Sequence, residues 1–327
     1  MKGLLLDRLP SHPKLIFMGT PDFAIPTLKS LIHHGHDITA VVTQPDRPKG
    51  RGRKSMASPV KLLAMEHGIE VLQPEKASDQ HFCQLIKGKE PDLIIVIAFG
   101  QILKKSLLII PKWGVINIHA SLLPRYRGAA PIQWAIMDNQ SKTGLSVMRM
   151  DEGLDTGPIF FQEEVLILRD ETAGQLHDRL ALKAGDLMSK SLNQMAEESI
   201  KESPQDHSNA TYAPKIEKNS CLIDWKQPAI KISLIIRALD PKPGAYTFLE
   251  GKEIKMFSSR VADEDRLDVV PGRVVRDAEG DLLVETGRGV LEIREIQYPG
   301  KKRLSSRDFL RGFLLPDGTV LGQSEER

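Results

Sequence analysis

The sequence predicts an α/β protein in which an open sheet of mostly parallel strands is followed by a small β-barrel domain. Three observations lead to that reading. Residues 92–99 (DLIIVIAF) form a continuous apolar run with β-branched side chains, the pattern of a parallel strand buried on both faces. Shorter apolar runs at 14–18 (KLIFM) and 38–42 (ITAVV) alternate with segments of helical period, the order that builds a parallel sheet. Beyond residue 211 the pattern changes. Short runs at 246–249, 272–275, 282–285 and 290–296 are separated by turns containing Gly, Pro and Asp, as in a small barrel.

Composition sets the outer bounds. At 327 residues, 41% hydrophobic and 27% charged, the chain suits two soluble globular domains. Its 45 basic and 43 acidic residues nearly cancel, so any nucleic-acid surface has to come from local clusters. Cys83 and Cys221 lie far apart with no metal-ligand spacing and fit a reducing compartment. The opening MKGLLLDRLPSHPK is too short and too broken for a signal peptide. The longest apolar run, 93–99, covers seven residues against the roughly 18 needed to span a bilayer. A cytoplasmic monomer with no membrane partner is expected.

Taken in order, the strand at 14–18 ends at Gly19, and Thr20 and Pro21 read as N-cap and first residue of a helix covering 23–32. Dinucleotide-binding Rossmann folds carry GxGxxG in this turn. A single glycine here argues against a dinucleotide cofactor and leaves a Rossmann-like architecture in place. His33, His34 and His36 around Gly35 read as a helix C-terminus rather than a metal site. After the strand at 38–42 comes 44–54 (QPDRPKGRGRK), where Arg47, Lys49, Arg51, Arg53 and Lys54 stand against one acid, Asp46. Two prolines and two glycines exclude a helix or a central strand. The stretch is an exposed basic loop, either solvated or touching a phosphate backbone, and it lacks the G-K-[ST] ending of a P-loop. A helix at 59–67, a short strand at 70–72 and a helix at 81–88 lead to the strand at 92–99. That strand ends in Gly100, Gln101, Ile102 and Leu103, where glycine allows either close approach of a ligand to the backbone or a plain turn.

The stretch 115–131 (VINIHASLLPRYRGAAP) is the centre of the chain. Its opening has a two-residue period, so Asn117 and His119 share one face of a short, otherwise apolar strand. Burying either side chain without a partner costs about 1 to 3 kcal/mol, so the fold satisfies them or they face a ligand. Ser121, Pro124, Gly128 and Pro131 break regular structure after the strand, and Arg125 and Arg127 place positive charge at its end, which favours a cleft. Pro131 begins a short helix. A strand at 145–150 then runs into DEGLDTG (151–157), whose order in the chain allows Asp155 to meet His119 across a crevice. A helix over 175–195, capped by Thr172, covers one face of the sheet. The polar stretch 197–211 reads as a linker between a catalytic domain, 1–196, and the barrel, 212–327. Residues 300–311 (GKKRLSSRDFLR) are basic and open to two readings, RNA contact or a solvated loop and helix.

These motifs carry a resemblance. The NxH strand followed by SLLPRYRGAAP, the GLDTG loop, the early MGTPDFA and the TQPDRPKGRGRK loop together resemble the formyltetrahydrofolate-dependent transferase family, over essentially the whole chain. NxH with a downstream DxG indicates only the wider family, whose members act on glycinamide ribonucleotide, sugar nucleotides or folate itself. The basic loop and the second domain narrow the resemblance to the branch that formylates initiator methionyl-tRNA.

The resemblance implies 10-formyltetrahydrofolate as co-substrate, no metal, and an OB-like C-terminal barrel. It carries over a catalytic trio of Asn117, His119 and Asp155. It also implies that Ser121, Leu122, Leu123 and Pro124 contribute to the folate site and that Gly100, Gln101, Ile102 and Leu103 border the pterin. The basic loop, with Arg47, Lys49, Arg51, Arg53 and Lys54, is placed beside the tRNA, and Arg51 is its expected principal contact.

An amine attacking a formamide-like carbon builds an oxyanion, so such a site needs donors aimed at that oxygen and a carboxylate to orient the histidine and help carry the surplus proton. Two other readings stand beside this one. The same trio serves another acceptor, or water, in a related transferase or deformylating hydrolase. An RNA-binding module without catalysis is the alternative from another class, although an RNA platform has no need of Asn and His buried on one strand face.

Overall fold

A computed structural model describes residues 8–49, 54–197, 200–276 and 280–322. They form two compact units, one containing residues up to Gly128 with Thr143–Val165 and His177–Ala213, the other containing Ala129–Lys142, Leu166–Leu176 and the residues from Pro214 onward.

In chain order the first strands are β1 (Lys14–Gly19), β2 (Asp37–Val42), β3 (Arg47–Lys49), β4 (Lys54–Met56), β5 (Val71–Leu72), β6 (Leu93–Ile97), β7 (Val115–His119), β8 (Lys142–Arg149) and β9 (Ile159–Leu166). The helices among them are α1 (Ile25–His33), α2 (Pro59–Glu66), α3 (Gln80–Gly88), α4 (Lys105–Leu108), α5 (Pro131–Met137) and α6 (Ala173–Glu197). Seven strands form one sheet in the order β5-β2-β1-β6-β7-β8-β9. Pairing is parallel from β5 to β7 and antiparallel between β7 and β8. The sheet is Rossmann-like and mostly parallel, as the apolar runs predict. The chain adds β2 and β5 on one side of β1 and the later strands on the other, so the order reverses between β1 and β6. At such a switch point the carboxyl ends of the strands open a crevice for ligands.

Burial explains why these segments fold as they do. Every residue of β6 and of β7 is buried, and Ile94 and Val96 belong to a core with Ile16, Met18, Phe82, Ile86 and Leu107. On α6 the residues Leu176, Leu180, Leu187, Met188 and Leu192 are all buried at helical spacing. Its start is a capping box, in which the Gln175 N–H donates to Thr172 Oγ1 at 3.3 Å and the Thr172 N–H to Gln175 Oε1 at 2.9 Å.

Two local expectations change. Thr20 is not a helix cap. Its hydroxyl donates to the Phe99 carbonyl at 3.1 Å and accepts from the Gln44 N–H at 3.2 Å, joining the ends of three strands, while the chain enters α1 through a 3-10 turn at Asp22–Ala24. The basic stretch is not wholly loop, because β3 pairs antiparallel with β4 as a separate two-stranded ribbon. Both strands are edges, which is why Pro48 is tolerated there. Arg51 and Arg53 lie outside the described residues, as do the side chains of Lys49 and Lys54.

The second unit contains α5 together with α7 (Ala229–Leu239), β10 (Ala245–Leu249), β11 (Lys252–Asp263), β12 (Val274–Arg276), β13 (Leu282–Glu285), β14 (Val290–Gln297), β15 (Arg303–Ser305) and α8 (Ser306–Gly312). The strands pair antiparallel in the order β10-β11-β14-β13-β12, with β15 on β14, and the sheet curls into the half-barrel of an OB-like domain. Trp225, Ile232, Ile236, Met256, Leu291 and Ile293 are among its core. Glu285 is fully buried within this unit and is held by Arg273 Nε at 2.6 Å and Nη2 at 3.0 Å and by the Val270 N–H at 2.9 Å. The basic stretch near the C-terminus is largely neutralised within the domain. Arg307 pairs with Asp281, Arg311 with Asp308, and Arg303 with Asp240. Among the described residues no helix is long and apolar enough to cross a membrane.

Candidate active site

β7 presents Asn117 and His119 on one face, 8% and 7% exposed, while Ile116 and Ile118 on the other face are buried. Pairing on both sides fixes the register, with Val96 opposite Asn117 on β6 and Ser146 opposite His119 on β8. The Asn117 side chain makes no hydrogen bond to any described residue, so its amide is available to a ligand. His119 is oriented from behind: its Nε2 lies 2.9 Å from the Tyr126 carbonyl oxygen. A carbonyl only accepts, so Nε2 carries the proton and Nδ1 faces the other way. Nδ1 lies 3.6 Å from Asp155 Oδ2. That is too long for a direct hydrogen bond and short enough for the two groups to act on one reacting centre.

Asp155 arrives from the loop after β8. Its backbone is left-handed, with φ +52°, and its Oδ2 accepts from the Gly128 N–H at 2.8 Å. Only glycine fits at 128, because φ is +118° and a Cβ there stands 2.9 Å from the Ala213 carbonyl oxygen. Gly157 closes the other end of the loop, where a Cβ comes within 1.9 Å of the Arg149 carbonyl oxygen. The structure thus brings Asn117, His119 and Asp155 together.

The turn after β7 is tightly anchored. Ser121 is fully buried and donates its hydroxyl to the Arg125 carbonyl at 2.6 Å. Ser146 Oγ accepts from the Leu123 N–H at 3.0 Å and donates to the Ser121 carbonyl at 2.7 Å, and Gln162 Nε2 donates to the Leu123 carbonyl at 2.9 Å. Leu123 is buried, so Leu122 and Pro124, half-buried, carry the accessible side-chain surface of this turn. The Gly100 turn divides similarly. Ile102 is exposed and Leu103 sits in the core. Gln101 faces its own protein, its Oε1 accepting from the Ala77 N–H at 2.7 Å and its Nε2 lying 3.3 Å from Gln44 Oε1.

The same polar chain extends to the basic ribbon. Gln44 donates to the Phe99 carbonyl at 3.1 Å, and Gln73 donates to the Gln44 carbonyl at 2.9 Å and to Asp46 Oδ1 at 2.8 Å. Lys61 holds Asp46 Oδ2 at 2.6 Å. The hydrogen bonds from Lys61, and after it Gln73, hold the Asp46 carboxyl below its usual range. The root of the ribbon and the Gly100 turn therefore share one polar network, and Arg47 projects from it, exposed.

The formyl transferase profile matches residues 13–192, and the profile of the formyl transferase C-terminal domain matches 215–314. The chain belongs to the formyl transferase family. Curated methionyl-tRNA formyltransferases from Alkaliphilus oremlandii and Geobacter metallireducens are 47% and 48% identical to it, covering 95% and 94% of this chain and 100% and 98% of theirs. In fold, this formyl transferase is similar to the crystal structure of HypX from Aquifex aeolicus in complex with tetrahydrofolic acid, with a TM-score of 0.65 at 20% identity. That match covers 93% of this chain and 48% of that one.

Sequence reasoning missed how two residues are placed beside the candidate site. Arg127, read from the sequence as positive charge at the strand end, is 2% exposed and bonded to Gln205 and His207. Gln205 lies in the polar stretch after α6 and reaches back to the Asp155 loop. No spacing or motif in the sequence links positions 127, 155 and 205; only the fold does.

Proposed function

We propose that this chain transfers the formyl group of 10-formyltetrahydrofolate to the α-amino group of methionyl initiator tRNA, as a cytoplasmic monomer. The observation that carries the reading is the convergence of an Asn117 amide with no partner among the described residues, an oriented His119 and a held Asp155 carboxylate, in a chain matching methionyl-tRNA formyltransferases over their whole length.

The chemistry follows from where each atom points. The α-amino nitrogen attacks the formyl carbon, a C–N bond forms, and the carbonyl oxygen becomes an oxyanion. Asn117 Nδ2–H donates to that oxygen, and His119 donates from Nδ1 in its protonated form. Asp155 takes the surplus proton of the attacking amine, directly or through water. Collapse of the intermediate breaks the bond to N10, which leaves with a proton. Leu122, Pro124 and the Gly100 turn, with Ile102, form the folate surface in this reading. Ser121, Gln101, Leu123 and Leu103 support that surface from behind.

Residues 1–196 are the catalytic domain in this proposal, 197–211 the connection and 212–327 the tRNA-binding domain. Arg47, Lys49, Arg51, Arg53 and Lys54 follow the acceptor end of the tRNA, since a stretch of sequence rich in cations suits a phosphate backbone. The test is to incubate the protein with 10-formyltetrahydrofolate and charged initiator tRNA and to analyse the aminoacyl product. N-formylmethionine is the expected result. Formate released without a formylated product would replace the transferase with a hydrolase.

A further inference from the structure

The Gln205 carboxamide is 7% exposed and fully used. Its Nε2 donates to the Asp155 carbonyl at 2.9 Å and to the Gly157 carbonyl at 2.7 Å. Its Oε1 accepts from Arg127 Nε at 3.1 Å and Nη2 at 2.6 Å. Arg127 stands between Tyr126, whose carbonyl orients His119, and Gly128, whose N–H holds the Asp155 carboxylate. One side chain therefore ties the turn after β7, which orients His119 and is also held by Thr211 and Ala213, to the loop after β8, which carries Asp155.

The chemistry of this bridge is specific to an amide. Two backbone carbonyls need a donor with two hydrogens, and a guanidinium fork needs an acceptor, and glutamine offers both ends at once. A glutamate at 205 turns oxygen toward both carbonyls, and an apolar residue removes the donor from both and leaves the Arg127 side chain with His207. One of the two carbonyls that Gln205 holds belongs to Asp155 itself, whose backbone is left-handed, a conformation uncommon for side-chain-bearing residues although Asp enters it more readily than most.

We propose that Gln205, seated on Arg127, is a positioning residue for the formyl-transfer site. It locks the Asp155 backbone so that the carboxylate meets His119, and it does so from the stretch that follows the catalytic domain's last helix. The proposal rests on the assignment of this site to formyl transfer.

The experiment is a double-mutant cycle in the full-length chain, using Gln205→Ala, Asp155→Asn and the pair, with kcat and KM measured for 10-formyltetrahydrofolate and for charged initiator tRNA. Gln205→Met serves as a second variant of similar length. Thermal melting accompanies each, so that the test is read on whichever Gln205 variant keeps its fold. The expected result is a fall in kcat of about 10- to 100-fold with both KM values changed less than about threefold, as a misplaced catalytic group predicts. In the Asp155→Asn background the same substitution should have almost no further effect. Gln205→Glu should lose at least as much as Gln205→Ala. A kcat within about twofold of wild type, or an equal loss with and without the Asp155 carboxylate, overturns the proposal. A wild-type protein that yields no formylated methionyl-tRNA under the same conditions overturns the functional reading instead.

Discussion

His119 and Tyr126 fix a proton between them: the imidazole Nε2 donates to the Tyr126 carbonyl at 2.9 Å, and Tyr126 reaches that position with a left-handed backbone, φ +59°. The consequence lies on the other side of the ring. Nδ1 is the nitrogen left for chemistry, a lone pair in the neutral ring and a donor in the imidazolium, and it faces the Asp155 carboxylate. The predictions for the site start from that orientation.

Asn117→Ala removes the side-chain amide proposed as an oxyanion donor, which has no partner among the described residues. We expect kcat to fall about 100- to 1000-fold, on the order of 3 to 4 kcal/mol, with folate affinity largely kept. Steady-state kinetics beside calorimetry of folate binding decide it, and a near-normal kcat would remove Asn117 from the mechanism.

Asp155→Asn keeps the shape of the carboxylate and removes its charge. A fall in kcat of about 100-fold or more is expected when the proposed proton acceptor is gone. Gly128→Ala should act on the same group indirectly, because the added Cβ meets the Ala213 carbonyl oxygen at 2.9 Å and displaces the N–H that holds Asp155. We expect it to lower the melting temperature, at a cost of about 1 to 3 kcal/mol, and to slow formylation. Unchanged melting and rate in this variant would show that the turn has room to relax.

Acid should weaken the second unit through Glu285. The hydrogen bonds from Arg273, the largest influence, hold its carboxyl below the usual 4.5 despite burial. The folded state therefore favours the carboxylate. The stability it contributes is complete above pH 4.5 and is lost as pH falls through the lowered folded-state value. Melting curves of wild type and Arg273→Met between pH 3 and 7 test this. The variant should be less stable near neutrality and lose less stability with acid, whereas parallel curves would contradict the assignment.

Arg51→Ala, a sequence-based prediction outside the described residues, should weaken productive use of tRNA and leave folate binding unchanged. For every phosphate no longer neutralised, the dependence of log K on log salt should flatten by about one unit. Arg47→Ala, at the exposed start of the ribbon, is the comparison. If neither substitution moves the salt slope, the ribbon does not grip the backbone.

How much was legible in the sequence depends on which signals were local. β6 and β7 were readable because unbroken apolar runs and a two-residue period survive in isolation, and the start of α6 was readable because Thr172 and Gln175 form a capping box within one turn. β11 was not, although it is the longest strand of its sheet. KEIKMFSSRVAD alternates too loosely to declare itself, and pairing with β10 and β14 decides its state. β9 was missed for a related reason: an edge strand with mixed burial leaves a weak pattern. Within the candidate site, short motifs in the sequence singled out Asn117, His119 and Asp155, whose side chains the fold gathers. Gln205 was not legible, because its partners are two backbone carbonyls and an arginine 78 residues away, and backbone leaves no mark in composition.

The antiparallel run of β8 turns loop length into a gauge. Because Arg149 pairs with Ile116 and Ser146 with His119, β8 ends three residues below the level of His119, about 10 Å away at strand rise. Asp155 has to climb back over that distance inside a loop whose ends are pinched together, the Arg149 N–H donating to the Pro158 carbonyl at 2.9 Å. Ordinary surface loops absorb an added or deleted residue with little change in stability. Here one residue more or fewer between Arg149 and Pro158 should carry the carboxylate past His119 or leave it short, so the proposed chemistry depends on the spacing of this segment as well as on the identity of Asp155.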